Sequence, residues 1–338
     1  MKCKQITFTG MNRAELTEVD CGAPAENEIK VKTAVSSVSA GTEKANIMGD
    51  KSLSPYSGET VATFPRVLGY SCAGVVEQTG SAVTDLKPGD RVAMSWTVHR
   101  EYNYVTAENA VKMPDNVSFE EGALCHIATF PMAAIRKTRL ELGESMLIMG
   151  LGVLGLLGIQ LAKAAGAVPV IAADPNPARR EKALAMGADY ALDPMEEGFA
   201  DKVKELTDGG VNTAVEVTGC GAGLNETLDC MAKFGRVALL GCTRDKNFTV
   251  DYYRKVHGPG ITLIGAHTLA RPDYESHPGF FTRVDDMKTA LKLCSMGRID
   301  FKSIIDETHS PSECTDVYTR LVSDKEFPPI VQFDWNRL

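Results

Sequence analysis

The sequence predicts an α/β protein in which a β-rich module precedes a doubly wound parallel sheet. Residues 1–112 contain short β-branched or aromatic runs separated by turn residues, the pattern of a compact barrel-like module. After residue 140 the pattern changes, because short apolar runs alternate with helical segments. The six apolar runs lie near Met146, Val168, Tyr190, Thr213, Val237 and Ile261.

The remaining elements follow in chain order. The first ten residues alternate like a strand, and the segment rich in Gly, Ser, Pro and Thr at 48–64 predicts a loop. Helical spacing recurs over 118–139, where Pro131 interrupts it. Further helices are predicted over Ala200–Leu206, Gly223–Lys233, 284–297 and 311–323, and a last strand over 328–335.

Size and charge limit the class of protein. A chain of 338 residues is long enough for two domains with separate cores. Its net charge of −8 is not gathered into like-charge blocks, which argues against a nucleic-acid or membrane surface. The N-terminus lacks the apolar segment of a signal peptide, and the longest apolar run is too short to span a bilayer. We therefore expect a cytoplasmic protein with a small-molecule substrate.

The cysteine pattern favours buried thiols over cross-links. The nine cysteines are scattered, odd in number and never spaced C-x-x-C. Neither a disulfide framework nor a four-cysteine zinc lobe is predicted from that pattern.

The glycine motif at the start of the parallel sheet predicts a dinucleotide site. Gly150, Gly152 and Gly155 match G-x-G-x-x-G between an apolar strand and a helix. The first glycine allows the turn, the second lets the backbone approach a pyrophosphate, and the third lets the helix pack on the strand. Free N–H groups at the helix start, near Val153 and Leu154, then face the phosphates.

The end of the next strand supplies the expected ribose contact. Asp174 lies 174 − 150 = 24 residues after the first glycine, near the offset of about 20 at which a carboxylate holds the ribose hydroxyls. Asn176 and Pro177 predict the next helix start. Arg179 can accept a 2′-phosphate, but Asp174 would repel one, so NAD is favoured over NADP. Other strand ends predicted to line the nicotinamide are Val217-Thr218-Gly219, Gly241-Cys242 and Gly265-Ala266-His267.

Several motifs together resemble the medium-chain dehydrogenase/reductase family, which contains zinc alcohol and polyol dehydrogenases and zinc-free quinone and enoyl reductases. The matching stretches, which span nearly the whole chain, are Gly41-Thr42-Glu43, PRVLGYSCAGVVEQTG, LKPGDRVAM, the glycine motif, AMGAD and FGRVALLG. The resemblance implies a GroES-like catalytic domain over 1–122, a Rossmann NAD(P)-binding domain over 123–284, and a tail over 285–338 that rejoins the first domain. It also implies a homodimer or homotetramer.

The sequence departs from the family where the zinc enzymes bind their metal. By resemblance, Ala40 stands at the position of a cysteine ligand. Tyr70 and Ser71 stand at the positions of the histidine ligand and the neighbouring glutamate in the family's G-H-E motif. Zinc prefers thiolate, imidazole or carboxylate ligands. The segment of the structural zinc lobe, between Trp96 and Met113, contains no cysteine. We therefore expect neither zinc ion.

Four residues are candidates for catalysis. His126 aligns with a third-ligand segment of polyol dehydrogenases and can shuttle a proton, or it is a hydrogen-bonded histidine inside the fold. Tyr70 can donate a proton to a developing alkoxide, or it fills the volume left by the metal site. Glu43 replaces the family's Asp near the active site, or it is a turn or cap carboxylate. Thr42 and Ser39 can offer hydroxyls to a substrate, or they bond their own backbone, as loop hydroxyls more often do.

The sequence predicts a zinc-independent NAD-dependent oxidoreductase that interconverts an alcohol and a carbonyl, with a secondary alcohol, polyol or sugar-like substrate. The variant also looks similar to a branch that includes bacteriochlorophyllide dehydrogenases. A zinc-free enone or quinone reductase is the alternative within enzymology. A nucleotide-binding sensor or scaffold without catalysis is the alternative from another class.

Overall fold

The computed structural model describes residues 2–51, 61–243 and 247–338, so most of the predicted 48–64 loop lies outside the described residues. The chain divides into two compact units. The first unit comprises residues up to Ile127 together with Met287–Leu338, and the second unit is Ala128–Asp286. The domain boundaries at 123 and 285 stay predictions.

Strands dominate the first part of the first unit. Its elements are β1 (Lys2–Gly10), β2 (Arg13–Asp20), β3 (Glu28–Ser37), α1 (Ala40–Ile47), β4 (Ser71–Thr79), β5 (Arg91–Ser95), β6 (Tyr102–Thr106), β7 (Ala110–Lys112) and α2 (Phe119–Gly122). β1 and β2 form an antiparallel hairpin. A capping box between Ser118 and Glu121 fixes the start of α2.

The second unit contains the predicted parallel sheet. After α3 (Cys125–Lys137), at which the division between the units falls, come β8 (Met146–Met149), α4 (Val153–Ala164), β9 (Val170–Ala173), α5 (Pro177–Ala185), β10 (Tyr190–Leu192), α6 (Phe199–Leu206), β11 (Val211–Glu216), α7 (Gly221–Asp229), β12 (Met231–Leu239) and β13 (Thr262–Gly265). The strand order is β10-β9-β8-β11-β12-β13, all parallel. The prediction of a doubly wound sheet is confirmed, and its ligand edge lies at the carboxyl ends of these strands.

The tail returns to the first unit. It contains α8 (Arg283–Ser295), β14 (Glu307–His309), α9 (Cys314–Ser323) and β15 (Val331–Asp334). β15 pairs antiparallel with β3, which gives a sheet of order β14-β15-β3-β4-β5-β7, with β6 also on β3. The core of this unit accordingly joins Ile6 and Phe8 of the N-terminal hairpin to Tyr318 and Phe333 of the tail. No helix of the described residues is long and apolar enough to span a membrane.

Three sequence-based expectations need correction. Cys3 and Cys21 form a disulfide, which joins the two strand ends of the β1–β2 hairpin. Pro131 lies inside α3, and the helical segment is broken earlier, between α2 and α3. The helix predicted to reach Lys233 ends at Asp229.

Candidate functional site

The glycine turn of the second unit has the geometry that close approach of a ligand requires. Gly150 has a φ of +100°, a conformation that residues with a Cβ rarely adopt. A Cβ on Gly155 would lie 1.9 Å from the Gly150 carbonyl oxygen, so only glycine lets α4 start this close to β8. A Cβ on Gly152 would meet no atom within 4 Å. Gly152 therefore leaves open space beside the start of the helix.

The first turn of α4 offers donors to an anion. Gly152 is its N-cap and has no side chain to accept the first N–H groups, and the first turn carries no acidic residue. The amides at Val153 and Leu154 lie in this turn, where helical N–H groups have no intrahelical acceptor. Together with the open space at Gly152, this arrangement fits a dinucleotide pyrophosphate.

Asp174 lies directly beside this turn. Its side chain is buried, and its Oδ2 accepts a hydrogen bond from the Leu151 N–H at 2.8 Å. Its Oδ1 accepts from the Asn176 N–H at 2.9 Å. The Arg179 guanidinium lies 3.7 Å from Oδ2. The carboxylate is therefore fixed at the end of β9, where the sequence places the ribose contact.

The other predicted cofactor residues also follow strand ends. Thr218 is exposed after β11, and a Cβ on Gly241 would lie 2.3 Å from the Gly219 nitrogen, so the ends of β11 and β12 approach closely. Ala266 and His267 follow β13. Burial and the nearby Lys137 ammonium lower the pKa of His267.

Sequence reasoning missed two polar residues at this edge. Glu216 ends β11 and accepts hydrogen bonds from the backbone N–H groups of Thr218 and Gly219 at 2.7 and 3.2 Å. Burial raises the pKa of Glu216, although these bonds oppose the shift. Lys137 donates from Nζ to the Gly265 carbonyl at 2.9 Å and so holds the segment before His267. The sequence pattern that could have identified Glu216 is a carboxylate at the end of an apolar strand. No sequence pattern indicated Lys137.

In the first unit, Tyr70 and His126 come together. Their rings meet edge-to-face, with centroids 5.6 Å apart. The Trp96 ring also meets the His126 ring edge-to-face, with centroids 5.0 Å apart. The Tyr70 hydroxyl donates a hydrogen bond to Ser39 Oγ. His126 is completely buried, whereas Tyr70 is partly exposed and Trp96 is exposed.

Glu43 and Thr42 lie in different surroundings. Thr42 is exposed on α1, and its carbonyl accepts from the Asn46 side chain. Glu43 is buried, and its carboxylate faces the His99 ring and the Tyr318 hydroxyl. It also accepts from the Ser39 N–H, the bond of a cap carboxylate. No sequence pattern indicated His99 or Tyr318 as partners of Glu43.

Comparison with known proteins agrees with both units. Residues 25–138 match the model of the alcohol dehydrogenase GroES-like domain, and residues 153–281 match the zinc-binding dehydrogenase model. An L-threonine 3-dehydrogenase of Pyrococcus horikoshii is 31% identical over 286 residues, which cover 75% of this chain and 79% of the relative. The chain belongs to the medium-chain dehydrogenase/reductase family. It is therefore an oxidoreductase.

Two further comparisons extend over almost the whole length of this medium-chain dehydrogenase/reductase. A D-guloside 3-dehydrogenase of Escherichia coli K12 is 25% identical, over 94% of this chain and 96% of the relative. The crystal structure of benzyl alcohol dehydrogenase from Acinetobacter calcoaceticus superposes with a TM-score of 0.84 at 20% identity, over 99% of both chains. The latter likeness shows the shared fold.

The zinc site of the family can be tested against the donor groups present. Ala40 offers a methyl group, the Tyr70 phenol bonds Ser39, and the Ser71 hydroxyl donates to the Ala123 carbonyl at 2.6 Å. The neighbouring Cys72 is fully buried, and its Sγ accepts a hydrogen bond from the Thr97 hydroxyl at 3.0 Å. No group of three or more His, Cys, Asp or Glu suited to a metal occurs in the part of the chain that the structure describes. Ala40, Tyr70 and Ser71 therefore offer none of the thiolate, imidazole or carboxylate groups that zinc prefers.

Proposed function

We propose that this chain is a zinc-independent, NAD-dependent dehydrogenase that interconverts a secondary alcohol of a polyol or sugar-like substrate and the corresponding ketone. The observation that carries the proposal is the hydrogen bond from the hydroxyl of the partly exposed Tyr70 to Ser39. By the family resemblance, Tyr70 stands at the position of a metal ligand of the zinc enzymes. A phenol there can supply the proton that a substrate oxygen needs when no metal polarises it.

The proton step follows from this placement. When bound, the reduced nicotinamide supplies a hydride to the carbonyl carbon. Tyr70 Oη then breaks its hydrogen bond to Ser39 Oγ and gives that proton to the substrate oxygen, and in the reverse direction the phenolate takes the proton back. Ser39 Oγ fixes the direction of the phenol, while the buried His126 ring limits movement of the Tyr70 ring.

The cofactor preference is argued from Asp174. Its buried carboxylate is fixed at the end of β9 by two backbone N–H groups, so it can accept from ribose hydroxyls without a conformational change. The same negative charge disfavours a 2′-phosphate. The Arg179 Nη1 lies 3.7 Å from Asp174 Oδ2, so the guanidinium offsets only part of the repulsion between Asp174 and a 2′-phosphate. We accordingly propose NAD rather than NADP.

The relatives support a small hydroxylated substrate. One is a threonine 3-dehydrogenase and another a D-guloside 3-dehydrogenase. The D-guloside enzyme aligns over almost the entire chain, which favours a sugar-like substrate over an amino acid. Following the family, we also propose a homodimer or homotetramer, which light scattering on the purified protein would test.

The experiment is a pair of substrate panels. NAD⁺ reduction is followed with polyols, sugar glycosides and L-threonine, and NADH oxidation is followed with enones and quinones. We expect turnover in the first panel and a loss of about 10²- to 10⁴-fold in kcat for Tyr70→Phe, the usual contribution of a general acid. Turnover in the second panel alone would instead support an enone or quinone reductase.

Zinc independence needs its own measurement. Protein purified without added metal should contain substoichiometric zinc and keep its activity after dialysis against a chelator. About one tightly bound zinc per chain, with activity lost on its removal and restored on its return, would contradict the proposal.

A further inference from the structure

A buried polar cluster lies behind Tyr70 in the first unit. We name it the Glu43 cluster; its members are Ser36, Glu43, His99, Tyr318 and Trp335, each at most 5% exposed. They come from β3, α1, the segment after β5, α9 and the residues after β15. Glu43, His99 and Tyr318 contain ionisable groups. Burying such groups costs free energy unless each one is hydrogen-bonded.

Glu43 is the centre of this cluster. Its Oε2 accepts from the Tyr318 hydroxyl at 2.5 Å, and the His99 Nε2 lies 3.2 Å from the same oxygen. Because a carboxylate only accepts, Nε2 must carry the proton. Burial would raise the pKa of Glu43, but the charge and hydrogen bond of His99, the Tyr318 hydroxyl and the Ser39 N–H outweigh it, so that the pKa is lowered. Glu43 is therefore held as an anion.

The far side of His99 is fixed as well. Its Nδ1 lies 2.8 Å from Ser36 Oγ, which also accepts from the Trp335 Nε1–H at 2.9 Å. The ring orientation of His99 is thus set at both nitrogens.

Two independent contacts connect this cluster to Tyr70. Glu43 Oε1 accepts from the Ser39 N–H at 2.8 Å, and Ser39 Oγ accepts from the Tyr70 hydroxyl. On the other side, Gly69 precedes Tyr70 with a φ of +103°, and a Cβ there would lie 2.9 Å from the His99 nitrogen. The His99 N–H also donates to the Leu68 carbonyl at 2.9 Å. Both the hydroxyl of Tyr70 and the backbone before it therefore depend on the cluster.

We propose that the Glu43 cluster is a positioning unit that orients the Tyr70 hydroxyl through Ser39 and Gly69, with Glu43, His99 and Tyr318 as its positioning residues. Glu43 is buried away from substrate in this role and acts through Ser39. The inference rests on the proposed role of Tyr70 as proton donor.

The test is a double-mutant cycle on Tyr70→Phe and Tyr318→Phe, assayed with the alcohol of the first panel that has the highest kcat/KM. Tyr318→Phe removes one donor to Glu43 and retains the ring. We expect kcat to fall at least tenfold with KM changed less than twofold. In the Tyr70→Phe background the same substitution should change kcat less than twofold, because nothing remains to position. Tyr104→Phe, which removes a hydroxyl bonded to the Gly22 carbonyl, is the matched control and should leave kcat unchanged.

A second measurement needs no substrate. In protein labelled with ¹³C at the tyrosine ζ carbon, the Tyr70 resonance is assigned by its loss in Tyr70→Phe and titrated with pH. Loss of a donor leaves the Glu43 charge less neutralised, so the pKa of Tyr70 should rise in Tyr318→Phe. The same pKa should stay unchanged in the control Tyr104→Phe. Should Tyr318→Phe fail to fold, Ser39→Ala replaces it in the cycle and in the titration, and the titration is expected to change because the acceptor of the Tyr70 hydroxyl is lost.

The outcomes separate the two proposals. Full activity in Tyr70→Phe overturns the proposed function. If Tyr70→Phe loses activity, two results overturn the positioning role alone. One is a double variant whose loss in kcat equals the product of the two single losses, and the other is an unchanged Tyr70 titration.

Discussion

At the scale of single residues, the charge of Asp174 gives a direct prediction for cofactor choice. Asp174→Ala should weaken NADH binding at least tenfold, about 1.4 kcal/mol, because the ribose loses its acceptor. NADPH binding should weaken less or improve, because repulsion of the 2′-phosphate is removed. Calorimetric titration with both nucleotides measures the two dissociation constants without a substrate.

The control for this prediction is Asp193→Ala, which removes a carboxylate paired with Arg180 at 3.0 Å on the neighbouring segment. It should leave the ratio of the two dissociation constants unchanged. An unchanged ratio in Asp174→Ala would mean that another residue decides the preference.

Asp286 predicts a pH dependence of stability. Its carboxylate is fully buried, with Arg136 Nε at 2.9 Å and Arg271 Nη1 at 3.3 Å. Burial raises its pKa from 3.8 to about 6, although both arginines oppose the shift. Between those pH values the folded chain holds a proton that the unfolded chain has lost. The free energy of unfolding should therefore fall as pH rises through this window, by up to about 1.4 kcal/mol per pH unit for this group.

Comparison with a variant isolates this one group. Asp286→Asn removes this pH-dependent contribution to the free energy of unfolding. The difference in denaturation midpoint between wild type and variant should therefore change with pH from about pH 4 to about pH 6, the interval between the two pKa values of Asp286. The exposed Asp201→Asn serves as the control with a constant difference. A constant difference for Asp286→Asn would show that Asp286 is ionised throughout.

Residue contacts were the least predictable level. Tyr70 and His126 were recognised as candidates from their positions in family motifs, but the partners of Glu43 were not. Tyr318 lies 275 residues from Glu43 along the chain, and no periodicity or motif reports such a pairing. Glu43 was accordingly interpreted as a catalytic candidate or, alternatively, as a turn or cap carboxylate. The second interpretation describes its bond to Ser39 and omits His99 and Tyr318.

At the scale of elements, the β8–α4 turn offers a matched pair of glycine variants. Gly152→Ala adds a methyl group where no atom lies within 4 Å, so the fold should be retained. The methyl group occupies the space proposed for the pyrophosphate, and NADH binding should weaken at least tenfold, about 1.4 kcal/mol. Gly155→Ala places its methyl group 1.9 Å from the Gly150 carbonyl and should lower the melting temperature as well.

Thermal melts and NADH titrations of the two variants complete this test. If Gly152→Ala binds NADH as tightly as the parent, the dinucleotide does not cross this turn. If Gly155→Ala melts at the parent temperature, the close helix–strand contact is not required.

Elements were predictable where local chemistry determines them. The Asn176–Pro177 helix start is confirmed, since Asn176 Oδ1 accepts from the N–H groups of Ala178 and Arg179. The predicted end of α7 was wrong because β12 contains an irregularity. Its pairing with β11 shifts between Met231 and Arg236, and Lys233 followed by Gly235 in this interval resembles the end of a helix.

At the scale of the whole molecule, the first unit depends on residues from both parts of the chain that form it. Phe333 is fully buried and lies 5.5 Å from the His99 ring and 6.0 Å from the Tyr318 ring, between centroids. Phe333→Ala should destabilise this unit by about 3–5 kcal/mol, the usual cost of such a cavity. Trp96 and Trp335, the two tryptophans of the sequence, both lie in this unit, so their fluorescence during urea denaturation reports its unfolding.

Met11→Ala is the control for this cavity. Met11 is 63% exposed in the turn between β1 and β2, and its loss should change stability by less than about 0.5 kcal/mol. Equal midpoints for Phe333→Ala and Met11→Ala would mean that the tail does not support the core of the first unit.

The pairing of β15 with β3 also has a consequence for biosynthesis. All residues of the second unit are available once Asp286 has emerged from the ribosome, whereas the sheet of the first unit lacks a strand until Asp334 has emerged. Until then β3 exposes backbone groups that β15 will cover, and an exposed strand edge can pair with other chains. In nascent chains stalled before β15, residues 128–286 should therefore resist proteolysis, and the remaining residues should bind chaperones.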